Sequence, residues 1–512
     1  MPDDTIQPGD TDQGAQKMRA GVISEAFFTD EDERRRLRMP TDDVTPMSVV
    51  VELNLFHEDG LQGSDRRFQE IYRTLRTGRR QAKPILIANT YYRCQLAIAE
   101  IKALVKQDQA DTPVNRRAIY RVWPDFDMHM VVDRSVATIK ADAARRSYDA
   151  TGSDVVWAVI DSGIDGEHPH FATHDNLGGD IAKLHRDFTK DDPTLEGALV
   201  DPYGHGTHVA GIIAGALCKP GAADAGRPLY AGQRVAISDD STQERVEPRQ
   251  KPDATRITGV APRCKVISLR VLNDQGRIRS TDVLRALEYV RVELNGHGKP
   301  PLRVHGVNIS LGYEFNARWF ACGQSPVCIE VDRLVRSGVV VVVAAGNTGY
   351  GELTTKSGRT STGLSLTIND PGNSALAITV GATHRDSPHT YGVSYFSSKG
   401  PTGDGRAKPD LVAPGERVLS CAAGRQREQL AQAFPDLPPK GPEACYIDMS
   451  GTSMAAPHVS GAIAAFLSIR REFIGRPEDV KRIFLSSATS LGRERYFEGH
   501  GLVDLMRAIQ SV

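Results

Sequence analysis

The chain has 512 residues, with 63 Lys+Arg against 64 Asp+Glu and a formal net charge of -1, so no global field draws it toward nucleic acid or an anionic membrane surface. Hydrophobic residues make up 40% and charged residues 25%, ordinary globular usage that excludes wholesale disorder, and the length suits two or three domains or one large α/β unit with an appendage. The longest apolar runs, such as Val339 to Ala345, fall short of the roughly 18 residues that span a bilayer, so no membrane helix is expected.

At the N-terminus, Met1 to Asp12 is acidic and polar where a secretory leader places a basic segment and an apolar core. Seven cysteines, an odd number spread thinly, suit reduced thiols better than a disulfide framework, with Cys322 and Cys328 as the pair that could join locally. A cytoplasmic location is expected. Residues 1 to 45, with DEDERRRLR at Asp30 to Arg38, read as a mobile polar arm holding one short helix. Arg34 to Arg36 is most simply a solvated face there, with a docking arm as the sharper alternative. From 46 to 132, SVVVELNLF, FQEIYRTLR, PILIANTYY, IAEIKALVKQ and AIYRVW alternate between strand and helix patterns and predict a small α+β domain.

From 133 to 512 strand-like runs alternate with helical stretches, which predicts an α/β fold with a mostly parallel sheet. Val155 to Ile160 and Val339 to Ala345 are apolar throughout, as strands covered on both faces should be. Two stretches, near 217–256 and 424–445, are rich in Pro, Gly, Gln and charge. Both exceed the usual length of an unstructured connection and read as surface insertions.

Three segments set a reactive side chain at the end of an element. VVWAVIDSGIDGEHP puts Asp161 at the carboxyl end of a buried strand, the edge where α/β sheets hold ligands. DPYGHGTHVAGIIAGAL puts His205 at the mouth of a small-residue helix, and MSGTSMAAPHVSGAIAAFL sets Ser453 in or just before the first turn of an apolar helix, where free N–H groups stabilise negative charge. A serine, a histidine and a carboxylate together suit acyl transfer: Ser453 as nucleophile, His205 as its base, Asp161 to orient and stabilise the imidazolium. Asn347, in the turn after VVVVVAAGN, is the candidate side-chain donor to an oxyanion, beside the Ser453 N–H.

DSGIDGEHP, HGTHVAG, SLG at Ser310 to Gly312, AAGN at Ala344 to Asn347, FSSKGPTGDGRAKPDLVAPG and GTSMAAPHVSG resemble the subtilisin-like serine peptidases (subtilases), in that family's order Asp, His, Asn, Ser. The resemblance covers about residues 130 to 510. It implies a three-layer subtilisin-like fold and a Ser-His-Asp endopeptidase acting on proteins or peptides. It makes the backbone of Ser310, Leu311 and Gly312 the partner of the substrate chain, and Ala344, Ala345 and Gly346 a wall of the specificity pocket. Residues 47 to 132 resemble the subtilase propeptide, a ferredoxin-like inhibitor and folding aid, with self-cleavage expected near Met130 to Arg134. His170 stands where the family often carries an acidic calcium ligand, and the 217–256 insertion replaces the usual calcium loop. No cofactor is therefore expected; a structural calcium is left open, with its usual high-affinity site expected to be absent. An intracellular member needs restraint, which implies latency and a regulatory partner such as an ATPase.

Simpler readings stand beside these. Ser453 alone would be a helix N-cap, Asp161 a turn cap with Asp165 as rival, and Asn347 a turn residue. A metallohydrolase built on His205, His208 and Asp161 lacks an HExxH motif, so helix packing is expected for His208. The cluster His168, His170, His174 and Asp175 fits no structural zinc spacing and is expected to be a solvated loop. A catalytically silent scaffold that binds protein partners is the alternative function. Glu352 or Asp370 would favour a basic substrate residue only by reaching the pocket floor.

Overall fold

The computed structural model describes residues 22–28, 31, 34, 39–75, 83–88, 90–124, 134–218, 228–236, 244–249, 254, 257–273, 275–316, 318, 321–355, 358–438 and 440–512. The chain divides into two compact units, Met1–His129 and Met130–Val512.

The first unit runs β1 (Met47–Leu53), α1 (Gly60–Thr74), β2 (Ile85–Ala88), β3 (Tyr91–Leu96), α2 (Ile98–Gln109) and β4 (Ile119–Pro124). Its sheet has the order β2-β3-β1-β4 with every neighbour antiparallel, a ferredoxin-like arrangement. Val49, Val51 and Leu53 alternate into one core with Phe68 and Ile71 of α1 and Ile101 and Leu104 of α2. Buried Asp108 ends α2 and accepts hydrogen bonds from the backbone N–H of Ala118 and Ile119, each 2.9 Å, which ties the helix to the start of β4. The segment read as a polar arm contributes Ile23, Phe27 and Met39 to this core, while Arg34 pairs with Asp43 at 3.3 Å. These apolar residues fall in runs as short as Val22-Ile23 and Ala26 to Phe28, so no sustained periodicity exposed them. Residues 1–21 and Arg35 and Arg36 lie outside the described residues.

In the second unit seven strands form a parallel sheet: β5 (Val156–Asp161), β6 (Arg186–Asp187), β9 (Lys265–Arg270), β10 (Gly306–Ile309), β11 (Val340–Ala344), β14 (Ile378–His384) and β15 (Leu411–Glu416), in the order β15-β14-β11-β10-β5-β9-β6. The remaining strands are β7 (Leu229–Ala236), β8 (Glu244–Pro248), β12 (Tyr350–Thr355), β13 (Gly358–Gly363), β16 (Val418–Cys421) and β17 (Ala444–Met449). The helices that matter here are α3 (His205–Ile213), α4 (Ser280–Glu288), α5 (Pro326–Arg336), α6 (Gly424–Ala433) and α7 (Thr452–Ile469). Alternate residues of each strand feed two cores. On β11, Val340 and Val342 join α3 and α7 on one face, while Val341 and Val343 join α4 and α5 on the other. This is a three-layer α/β fold, with the sheet buried on both sides.

Helix α7 is long and apolar enough to pass the length-and-composition test for a bilayer span, a property no single apolar run revealed, but it is mostly buried within the fold. The segments read as insertions meet each other. Strand β7 from the first pairs in parallel with β17 at the end of the second, Ala444 opposite Leu229, inside a sheet ordered β16-β17-β7-β8. Leu430 of α6 packs there against Cys445 and Ile447. All seven cysteines are free, Cys322 and Cys328 included, so the local pairing does not form. Cys328 is instead buried in the first turn of α5, its N–H donating to the Ser325 hydroxyl at 3.4 Å.

Candidate active site

Strands β5, β10 and β11 are neighbours, and their carboxyl ends deliver Asp161, Ser310 and the turn bearing Asn347 to one edge of the sheet. A cleft of about 470 Å³ opens there, lined by Asp161, His205, Ser310, Asn347 and Ser453 among others.

Asp161 is 2% exposed. Its Oδ1 accepts from the Ser162 N–H at 2.7 Å and from His205 Nδ1 at 2.7 Å, while Oδ2 is buried without a hydrogen-bond partner. Because the carboxylate accepts, Nδ1 carries the ring hydrogen and Nε2 is left as the basic nitrogen. Burial alone would lower the His205 pKa. The charge and hydrogen bond of Asp161, with a smaller push from Asp201, outweigh it and hold the imidazole above its ordinary value.

The mouth of α3 is fixed by Asp201. Its buried carboxylate accepts from the Ser162 hydroxyl (2.8 Å), the N–H groups of Tyr203 (3.2 Å), Gly204 (2.8 Å) and Thr207 (2.8 Å), and the Thr207 hydroxyl (2.6 Å). Ser162 Oγ in turn accepts from the Gly206 N–H at 2.8 Å. One carboxylate thus joins the turn after Asp161 to the turn before His205. Gly206 is needed for the approach, since a Cβ there would sit 2.1 Å from the Gly163 carbonyl oxygen.

Ser453 lies in the first turn of α7. Its hydroxyl donates to the Ser310 carbonyl at 2.8 Å, and the Ser310 hydroxyl donates to the Ser453 carbonyl at 2.9 Å. Behind them, Asn308 Nδ2 donates to Ser310 Oγ at 2.9 Å and Ser460 Oγ donates to Asn308 Oδ1 at 2.8 Å. Asn347 Oδ1 accepts from the N–H (2.9 Å) and hydroxyl (3.1 Å) of Thr452. An N–H can only donate, so that end of the amide is the oxygen, and Nδ2 remains the donor end.

Ser310, Leu311, Gly312, Ala344 and Gly346 all line the cleft. Ala345 does not: it is fully buried, its N–H bonded to the Val380 carbonyl at 2.9 Å, because its neighbours on either side take the cleft face. Asp370 is also absent from the lining. It is buried and accepts from Asn373 Nδ2 at 2.8 Å, while its neighbour Asn369 faces the cleft. The Glu352 side chain lies outside the described residues. Tyr203, Leu272, Ile278, Thr348 and Asn369 also line the cleft and were missed, as was Asp201. The one signal for Asp201 is an acidic residue four positions before the histidine.

His208 faces away from the cleft, its Nε2 donating to the Ile447 carbonyl at 3.0 Å, and burial pushes its pKa down to about 3. His168 and His170 are buried, contrary to the solvated loop expected. His170 Nε2 donates toward the Gly211 and Ala214 carbonyls (3.3 and 3.1 Å), and its Nδ1 accepts from the Tyr446 hydroxyl at 3.1 Å. Burial pushes it, too, down to about 3. Among the described residues no group of three or more His, Cys, Asp or Glu side chains is placed to hold a metal ion.

The sequence model of the Subtilase family matches residues 152–502. The chain belongs to the subtilase family. It is 32% identical to pyrolysin of Pyrococcus furiosus over 358 residues, 62% of this chain but 22% of pyrolysin. It is 27% identical to serine protease AprX of Bacillus subtilis over 382 residues, covering 71% of this subtilase and 68% of AprX. It is also 27% identical to the major intracellular serine protease of Bacillus subtilis over 337 residues, 65% of this chain and 74% of that protein.

Proposed function

We propose that this subtilase is a serine endopeptidase working through a covalent acyl-enzyme, with Ser453 as nucleophile, His205 as general base and then acid, and Asp161 as the group that orients and stabilises the imidazolium. The observation that carries the reading is the 2.7 Å bond from His205 Nδ1 to Asp161 in a cleft that Ser453 and Asn347 also line. Attack begins when the Ser453 hydroxyl leaves the Ser310 carbonyl and gives its proton to His205 Nε2. The oxyanion that forms meets Asn347 Nδ2 and the Ser453 N–H. His205 then protonates the leaving amine, and water, deprotonated by the same ring, releases the acid. The reaction draws on no cofactor. The substrate chain pairs along Ser310 to Gly312, and Ala344, Gly346 and Asn369 shape the pocket for the residue before the scissile bond.

The 46–132 domain is proposed to act as a propeptide, an inhibitor and folding aid, preceded by the 1–45 segment and followed by the catalytic domain from 133. Self-cleavage falls near Met130 to Arg134, a segment that up to residue 133 lies outside the described residues. Latency of this kind, released by a regulatory partner, suits an intracellular peptidase, and the ferredoxin-like topology supports it. The assignment is tested with an active-site serine probe. It is expected to label the wild type and not Ser453→Ala, and labelling of another serine in the variant overturns it.

A further inference from the structure

Beside His205 the cleft rim is built by Tyr203, which lines the cleft with Leu272 and Ile278. Its hydroxyl packs on the backbone of the turn Asn273 to Arg277, where a Cβ added to Gly276 would lie 2.0 Å from it. Over the ring sits Arg425 of α6, its guanidinium carbon 4.1 Å from the ring centroid. This is the distance at which a cation is attracted by an aromatic face.

The position of Arg425 is fixed by backbone. Its N–H donates to the Pro202 carbonyl at 3.0 Å. The chains approach so closely that a Cβ on Gly424 would lie 2.3 Å from the Pro202 oxygen, and one on Gly204 2.3 Å from the Ala423 oxygen. The next residues anchor α6 on its other side: Gln426 Nε2 lies 2.9 Å from Met449 Sδ, and buried Arg427 pairs with Glu443 at 2.5 Å. Arg425 itself is exposed, and among the described residues no carboxylate pairs with it, Glu428 on the same helix included. Asp274 in the rim turn lies outside the described residues, and Arg277 in the same turn is exposed. The two carboxylates nearest His205 are committed elsewhere, Asp161 to the imidazole and Asp201 to its five donors. The exposed charges described on this rim, Arg277 and Arg425, are thus cationic, and the two carboxylates are buried.

We propose that Tyr203 and Arg425 form a cationic subsite that selects substrates carrying an acidic side chain close to the scissile bond. The inference rests on the peptidase reading and adds the substrate class to it. Arg425 comes from the 424–445 segment, so the selectivity belongs to a part of the chain outside the motifs that carry the chemistry. An exposed pair of this kind is worth a few-fold, so substituting Lys for Asp in the substrate should change turnover by about 10-fold, less at high ionic strength.

The test uses the full chain and a panel of quenched peptides of one sequence, with Ala, Asp or Lys placed in turn at the three positions on each side of the scissile bond. At one position Asp is expected to exceed Lys by about 10-fold in kcat/KM at low salt. Arg425→Gln should erase that ratio and Arg425→Glu invert it, at that position alone. An unchanged Asp-to-Lys ratio in Arg425→Glu, with a thermal midpoint matching wild type, overturns the proposal. If wild type cleaves no peptide, the Ala peptides included, even after the chain is cut between residues 124 and 134 to relieve inhibition, the peptidase reading fails instead. Binding of the same peptides to Ser453→Ala then decides the rim: Asp over Lys supports it, and no preference ends it.

Discussion

On the His205 wall of the cleft the groups that fix geometry are carboxylates: Asp161 on the imidazole and Asp201 on the turns around it, both buried. On the Ser453 wall they are neutral: the amides of Asn308 and Asn347 and the hydroxyls of Ser310, Thr452 and Ser460. The walls therefore answer differently to pH. The proposed acid–base pair is held by charge and its protonation is tuned by charge, whereas the proposed nucleophile and oxyanion donor are held by a lattice with nothing to titrate near neutrality.

Breaking the charged wall has the larger effect. Asp161→Asn is expected to lower kcat on the order of 10⁴-fold, the scale set by triads of this kind. It should also move the acidic limb of kcat/KM to lower pH, because Asp161 is the main influence raising the His205 pKa. The base works neutral, so wild-type activity should fall as pH drops through a value above about 6.5. A limb that stays in place in Asp161→Asn would contradict the division. Asn347→Ala should cost about 10²- to 10³-fold in kcat while leaving the limb unmoved, which the same pH profile reads directly. Asp201→Asn sharpens the comparison further. An amide cannot accept from all five donors, so kcat/KM should fall roughly 10- to 100-fold through misplacement of His205, with a loss of about 1–3 kcal/mol in unfolding free energy.

The smallest effect is on stability. Burial holds His170 and His208 near 3 and His458 near 4 in the folded chain. The unfolded chain binds those protons at about 6.5, so stability is lost as pH falls below that value and continues to fall toward 3. Asp201 and Asp448, raised by burial, pull the other way and reduce the slope. A thermal midpoint lower by about 3 °C at pH 5 than at pH 7 is expected, and one that holds or rises would reverse the sign. His170 and His208 brace α3 and His458 braces the first turn of α7, so acid loosens both walls.

How much of this was legible follows from the same contrast. Asp161, His205, Ser453 and Asn347 stand in contiguous runs of small residues because backbone approaches such as that of Gly206 require them, and those runs are visible in a linear string. The three-layer sheet was legible from apolar strands such as Val339 to Ala345. Asp201 was hidden because a carboxylate that accepts backbone N–H groups looks, in sequence, like any turn residue. Tyr203 and Asn369 became cleft residues only through the turns that aim them. Ala345 was assigned to the wall as part of a motif, although alternation along the backbone turns it away. His168 and His170 looked solvated because polar neighbours surround them, whereas their partners, Cys445 and Tyr446, lie far along the chain.

Strand β17 runs almost directly into the turn bearing Ser453, and its parallel partner is β7, with Ala444 opposite Leu229. Asn308 and Ser460, Asn347 and Thr452 are equally remote pairs. Contacts of such long range close slowly and late. During synthesis the ribosome must therefore have released the chain through Ser453 before a hydroxyl can be brought to face an imidazole. A nascent chain carries the parts of the cleft without the ability to cut, and completion of the fold is the first control on the activity proposed for it.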